Sequence, residues 1–281
     1  MSGSILNRSH SRPLPPSAPP VVLSIAGLDP SAGAGVLADL KTFSALGVYG
    51  MACITALTVQ STQGVRRVEP VASSIVVETL DCLAQDVPIA AIKVGMLGDH
   101  SVAAAVFEWL QSYSAPVVLD PVLKSSSGKD LLDPEGVDLL RGPWLARANW
   151  ITPNLAELAF LIGLPIPLTA ADTEVAALSL QQMAARRGNP GLKVVATCGH
   201  QKTPNDLLLT EHSHWFPGER VETASTHGTG CAFSSALAAR IALGDSDLSA
   251  VQSAKNFVAE GLRSAYSLGR GVGPLNHFWS K

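Results

Sequence analysis

From residue 21 onwards the chain alternates short apolar runs with segments of helical period, and this alternation narrows its fold more than any other feature. Residues 21–26 read as a buried strand that runs into a glycine-rich turn, after which Val36, Leu40 and Phe43 recur at helical spacing over 36–46. Strand-like runs follow at 51–57, 90–94, 116–119, 150–151 and 192–196. Between them, a face of Val76, Leu80, Leu83 and Val87 and the segments 101–112, 154–161 and 175–187 read as helices. Residues 206–210 and 214–217 make a hairpin pattern turning at 211–213, and helices over 230–243 and 248–267 follow, the first stopped by Gly244. Strands separated by helices need crossover connections, which favour parallel pairing. The expectation is one α/β domain over 21–281, with a mostly parallel central sheet covered by helices.

Residues 1–20 form a different zone, with five prolines between Pro13 and Pro20 among serines and arginines. Such a stretch buries too little apolar surface to offset its ordering entropy, so it reads as a disordered Pro/Ser-rich tail. The remainder is rich in apolar residues, 47% of the chain against 15% charged, which excludes general disorder. A net charge of −3 without long runs of one sign gives no footprint for nucleic acid or an anionic membrane. Cys53, Cys82, Cys198 and Cys231 lie far apart, so neither a zinc site nor a disulfide framework is expected. With no apolar span and no secretory leader, a reducing cytoplasm is the expected location.

Three glycine-rich turns are candidates for chemistry. In the first, residues 26–35, Gly33-Ala34-Gly35-Val36-Leu37-Ala38 satisfies a loose dinucleotide pattern. The acidic residue wanted about twenty positions later is missing, and Asp29 and Asp39 would repel a pyrophosphate. Those carboxylates suit a neutral ligand with hydroxyl or amino donors, or Asp29 simply caps a tight turn. The second, Ser126-Ser127-Gly128-Lys129-Asp130, fails as a phosphate-binding Walker loop at both Leu123 and Asp130. The third is Thr226-His227-Gly228-Thr229-Gly230-Cys231-Ala232, at the start of a helix. Unpaired amides and the helix dipole there favour an anion such as a transferring phosphate. Cys231 in that first turn is expected to have its thiol, ordinarily near ~8.5, shifted towards thiolate, ready to deprotonate a hydroxyl.

With this last string the chain resembles the hydroxymethylpyrimidine/phosphomethylpyrimidine kinases of thiamin biosynthesis, within the ribokinase-like family. The likeness runs from about Val21 to Phe278. It rests also on Ala38-Asp39-Leu40-Lys41-Thr42, Gln60, Lys93-Val94-Gly95-Met96-Leu97, Asp120-Pro121-Val122, Thr152-Pro153-Asn154-Leu155-Ala156-Glu157 and Gly273-Pro274-Leu275-Asn276-His277-Phe278. The resemblance implies a three-layer α/β/α sandwich, usually dimeric, that uses ATP and Mg²⁺ to phosphorylate a pyrimidine alcohol and then its monophosphate. It implies Cys231 as the base, with Gly228, Thr229 and Gly230 forming an anion hole. Gln60 would bond the ring nitrogen and amino group, with Gly27, Ala34, Asp39 and Met96 lining the pyrimidine pocket. Asn154, Glu157 and Asp120 would hold magnesium, partly through water.

The chain departs from the family pattern where Thr197 and Ser126 stand in place of lysines and Ser61 in place of asparagine; Lys124 is an additional cation. Two rivals follow: a pyridoxal-type kinase on the same fold, and a non-catalytic pyrimidine-sensing module. His227 is given no catalytic task.

Overall fold

Strand β1 (Val21–Leu28) sits between β2 (Tyr49–Ser61) and β4 (Ala91–Val94), parallel to both. In the computed structural model, which describes residues 18–125, 128–199 and 201–279, parallel pairing continues through β5 (Val117–Leu119) and β6 (Trp150–Ile151) to β7 (Lys193–Ala196). Antiparallel strands complete both edges: β3 (Gly64–Pro70) beside β2, and β8 (Asp206–Leu209) with β9 (Ser213–Phe216) beyond β7. The sheet order is β3-β2-β1-β4-β5-β6-β7-β8-β9. Residues 1–17 of the expected tail lie outside the described residues, as does Ser126.

Successive strand residues point to opposite faces, and both faces are buried. Leu23, Ile25, Ile92, Val94, Val117, Leu119 and Val194 join a core with α2 (Ser73–Asp86), α3 (His100–Gln111), α4 (Pro134–Arg141), α5 (Trp144–Arg147), α6 (Leu155–Ile162) and α7 (Ala170–Ala185). The alternating residues Val22, Ala91, Val118 and Val195 pack against α1 (Gly35–Ala45), α8 (Thr229–Ala242) and α9 (Asp247–Arg263). Burial on both sides explains the unbroken apolar runs of the inner strands. The three-layer ribokinase-like arrangement is therefore the observed one.

Several boundaries differ from expectation. Strand β2 runs well past Leu57 to Ser61 and turns back as β3. This two-stranded arm carries exposed Arg66, Arg67 and Glu69, so no apolar run marked it. Helices α4 and α5 were also unforeseen, although Asp133 capping Gly136 N–H and Pro134 in the first turn are ordinary helix-start signals. The last helix ends at Arg263, short of 267.

Two glycines bring the ends of distant elements together. Gly228, the residue before α8, has φ 75°, and a Cβ on it would overlap the Gly33 carbonyl oxygen. Gly35, which opens α1, has φ 59°, and a Cβ there would overlap the Gly27 carbonyl oxygen. The start of α8 is thereby laid against the turn joining β1 to α1. Gly228→Ala has to abandon both the left-handed backbone and the close approach, and the first alone costs roughly 1–2 kcal/mol. A urea titration should show at least that loss, with the midpoint lowered.

Candidate active site

The carboxyl ends of β1, β4, β5 and β6 open onto a cavity of about 740 Å³, the position where open α/β sheets take their ligands. Its wall includes Gly27, Asp29 and Ala34 from the first turn, Gln60 from the β2–β3 arm, and Met96 after β4. Asp120 follows β5, Asn154 and Glu157 begin α6, and residues 226–231 lead into α8. Of the twelve expected site residues, eleven face this one space.

Asp39 is the exception and a correction. It is fully buried beneath the cavity, on the inner face of α1. Its carboxylate accepts from Lys93 Nζ at 2.9 and 3.1 Å, from Ser24 Oγ at 2.6 Å and from Ser235 Oγ at 2.7 Å. Four bonds to protein leave it no role on the pocket wall. Lys93, which the sequence reading quoted but gave no task, is the missed residue: a fully buried lysine that reaches the cavity floor. Gly95 makes its space, since a Cβ there would lie 2.7 Å from the Lys93 ammonium. Burial opposes the Lys93 charge, but Asp39, Cys231 and Asp120 reverse that effect and hold its pKa above the ordinary lysine value. The signal available in sequence was a lysine inside a strand otherwise buried on both faces.

No side chain caps α8, so its first-turn amides, Thr229 to Cys231, lack partners within the helix. Cys231 lies beside them, with the Gly35 N–H donating to its sulfur. Its protonation corrects the expectation. Burial pushes the thiol up to about 12; Asp120 and Asp39 add to this, and Lys93 and the Gly35 amide offset only part. The helix terminus supplies positive potential, but the carboxylates and the loss of water outweigh it. The resting group is a thiol.

On the opposite wall, Asn154 caps α6 by accepting from the Ala156 and Glu157 amides, and the Glu157 carboxylate accepts from Asn154 N–H at 2.8 Å. This capping box fixes the Glu157 side chain at the cavity. Burial raises Glu157 to about 8, with the Asp120 carboxylate contributing. Burial raises Asp120 also, against the pull of Lys93 and of the Ser234 hydroxyl that donates to it at 3.0 Å. Two carboxyl groups that are held towards their protonated forms are placed to receive a cation. Among the described residues no three His, Cys, Asp or Glu side chains converge as a metal cage. Any metal here would keep other ligands, as Mg²⁺ does with water and phosphate. The site thus fits that ion.

At the corner that holds Gln60, Asp29 accepts from the Ser31 N–H, the Ser31 hydroxyl and the Ala34 N–H, so the turn-capping reading of this residue holds. Burial alone would raise Asp29, but bonds from His227 and Ser31 hold it below the usual carboxylate range. His227 Nε2 lies 2.8 Å from Asp29 Oδ2 and 3.2 Å from the Gln60 amide. Gly27 opens the adjoining wall, since a Cβ there would stand 2.9 Å from Met96 Sδ. Thr197 sits under α6, its N–H donating to Pro153 O at 2.9 Å. It brings no charge to the cavity, whereas Lys124 lines it, paired with Asp130 at 3.2 Å and more than half exposed.

Residues 29–276 match the family model described as phosphomethylpyrimidine kinase. The hydroxymethylpyrimidine/phosphomethylpyrimidine kinase of Escherichia coli is 41% identical over 262 residues, covering 91% of this chain and 96% of the relative. The Aquifex aeolicus protein of the same description is 37% identical, covering 89% and 97%. Among solved structures, the phosphomethylpyrimidine kinase of Clostridium difficile aligns with TM-score 0.75 and 33% identity, over 86% of this chain and 98% of that one. The Staphylococcus aureus pyridoxal kinase in complex with pyridoxal aligns with TM-score 0.83 and 31% identity, over 94% and 95%.

Two outcomes follow from the electrostatics. Lys93→Met leaves Asp39 charged and unpaired in the interior, which should cost about 3–5 kcal/mol in a urea titration. Glu157 binds its proton more tightly folded than unfolded, so the folded protein holds the extra proton between about pH 4.5 and about pH 8. Its contribution to stability therefore declines as pH rises through that window. Glu157→Gln should flatten the decline in urea midpoints measured across it.

Proposed function

The chain belongs to the phosphomethylpyrimidine kinase family, and on that premise we propose that it transfers the γ-phosphoryl group of ATP to 4-amino-5-hydroxymethyl-2-methylpyrimidine and then a second phosphoryl group to the monophosphate, in thiamin biosynthesis. The observation that carries this reading is the sharing of one cavity by uncapped α8 amides, the Cys231 thiol and the Gln60 amide.

Phosphoryl transfer asks a protein mostly for positioning and for neutralisation of charge. Gly228, Thr229 and Gly230 bring the backbone close, so that the amides through Cys231 can bond the equatorial oxygens of the migrating group. Preorganised donors of this kind are commonly worth roughly 10²–10³ in rate. Gln60 offers one acceptor and one donor to the ring nitrogen and amino group, and Gly27, Ala34 and Met96 pack against the ring. Asp120 and Glu157 would hold Mg²⁺, with Asn154 fixing Glu157; the ion supplies neutralisation of phosphate charge. Lys124 is the cation that stands in for the family lysines missing at Thr197 and Ser126, and it would meet the nucleotide phosphates. The same reading makes the protein cytoplasmic and a homodimer, for which exposed Leu57 and Val59 on the β2–β3 arm offer an apolar surface.

Cys231 accepts the alcohol proton in the first transfer from its minor thiolate form, after the thiol has given its own proton to solvent. The second transfer starts from a phosphate oxygen that is already anionic, so it needs no base. Because the resting thiol titrates far above neutrality, the first step should quicken as pH rises from about 7 to about 9, while the second changes little.

A coupled ADP-release assay decides among the alternatives. Turnover is expected with the pyrimidine alcohol and its monophosphate, with pyridoxal the poorer substrate. Preference for pyridoxal would support the second reading, which the pyridoxal kinase neighbour favours. Pyrimidine binding without ADP release would support the sensing module. Cys231→Ala should slow the alcohol step by about 10²-fold or more and the monophosphate step much less; equal losses would remove its role as base. Lys124→Ala should raise KM for ATP several-fold, with KM for the alcohol unchanged.

A further inference from the structure

The corner that holds Gln60 contains two hydrogen-bonding conflicts with a common resolution. As placed, the Gln60 amide nitrogen faces His227 Nε2 at 3.2 Å and the amide oxygen faces Thr58 Oγ1 at 3.1 Å. His227 Nε2 also lies 2.8 Å from Asp29 Oδ2, whose carboxylate is ionised and can only accept. The hydrogen between them must therefore belong to His227 Nε2, which leaves that atom no lone pair for a Gln60 N–H. The second conflict is at Thr58. Its hydroxyl hydrogen points to the Leu28 carbonyl oxygen at 2.9 Å, so the same hydrogen cannot also serve the Gln60 oxygen.

Turning the amide half a revolution about its last bond removes both conflicts at unchanged positions, because the two ends of an amide are nearly isosteric. The His227 Nε2–H then serves Asp29 and the Gln60 oxygen together. The Gln60 N–H donates to Thr58 Oγ1, and the Thr58 hydroxyl donates to Leu28 O. One directional chain results, fixed at the His227 end by a carboxylate and at the Thr58 end by a strand carbonyl. The surroundings hold the members in place. A Cβ on Gly33 would overlap the His227 ring, so that glycine makes the ring's space, and the His227 N–H donates to Gly273 O at 3.0 Å.

We propose that His227 is a positioning residue that, with Thr58, fixes the polarity of the Gln60 amide and so selects ligands carrying a donor on the His227 side and an acceptor on the Thr58 side. One carbonyl lone pair and one N–H of Gln60 remain for the ligand. An aminopyrimidine edge, with an exocyclic amino group next to an unprotonated ring nitrogen, matches that order. Its 4-oxo analogue, with a ring N–H next to a carbonyl, presents the reverse order and meets donor with donor. This selectivity rests on the pyrimidine reading of the site; the amide polarity does not.

Neutron diffraction of the deuterium-exchanged, ligand-free protein reads the polarity directly. Two deuterons are expected on the Gln60 atom facing Thr58, and deuterons on the atom facing His227 overturn the proposal whatever the enzyme phosphorylates. Calorimetric titration of the aminopyrimidine alcohol and of its 4-oxo analogue reads the consequence. Wild type should prefer the amino compound by at least about 10²-fold. His227→Phe and, separately, Thr58→Val should each narrow that ratio about tenfold or more, and His227→Gln, which restores an N–H donor, should recover part of it. Equal weakening of both ligands in His227→Phe and Thr58→Val, with the ratio kept, would show a merely structural role and overturn the proposal. Wild type that binds neither compound, with the deuterons beside Thr58, would sink the pyrimidine reading and leave the polarity standing.

Discussion

The structure of this site depends on a lysine placed inside a sheet. Lys93 and Asp39 are both fully buried and sit 2.9 Å apart between β4 and α1. A buried pair of this kind brings little net stability, because the cost of dehydrating two charges consumes most of their attraction. Its effect is on geometry and potential. Ser24 on β1 and Ser235 on α8 donate to the same carboxylate, so a strand, two helices and the floor of the cavity share one electrostatic centre. Gly95 is what permits the ammonium to lie there.

That centre also bears on the protonation of its neighbours. Burial is the largest influence on both Cys231 and Asp120; Lys93 favours the ionised form of each, and Asp39 works against it at both. The balance leaves the Cys231 thiol and the Glu157 carboxyl holding their protons. The α8 amides, unlike a buried ammonium, keep their full capacity for an incoming anion.

The fold was legible in the chain because its inner strands are buried on both faces and its outer helices on one. Runs such as 21–26 and 192–196 and the helical spacing of Val36, Leu40 and Phe43 follow directly from that burial. What escaped was the solvated β2–β3 arm and the two short helices α4 and α5, of 8 and 4 residues, too brief to show a helical period although Leu140, Trp144 and Leu145 are buried. The site was legible where backbone chemistry shows in residue type, as in the glycines around 228–230 and the Asn154–Glu157 cap. It was illegible where the decisive fact is a contact across the sequence. Asp39 and Lys93 are 54 positions apart, and His227 and Asp29 are 198 apart. A carboxylate near a glycine-rich turn reads equally well as a ligand contact or as a counter-ion until its partner is known, and the pairing decides differently for Asp39 and Asp29.

Two of the departures from the family pattern cost the chain a positive charge. Thr197 and Ser126 stand where the family pattern has lysines, while Gln60, Met96, Gly27 and the Asp29–His227 corner stay intact. Lys124 is mostly solvated and already paired with Asp130, so a phosphate must compete with a carboxylate and with water for it. A cation so exposed is screened and contributes less than one held in a dry site. On the proposed reading, charge neutralisation falls more heavily on the α8 amides and on a cation that Asp120 and Glu157 would hold. On that reading, ligand recognition and phosphate handling are separable: the first would rest on directional hydrogen bonds that need no lysine, and the second is where this chain has room to differ in rate from its relatives.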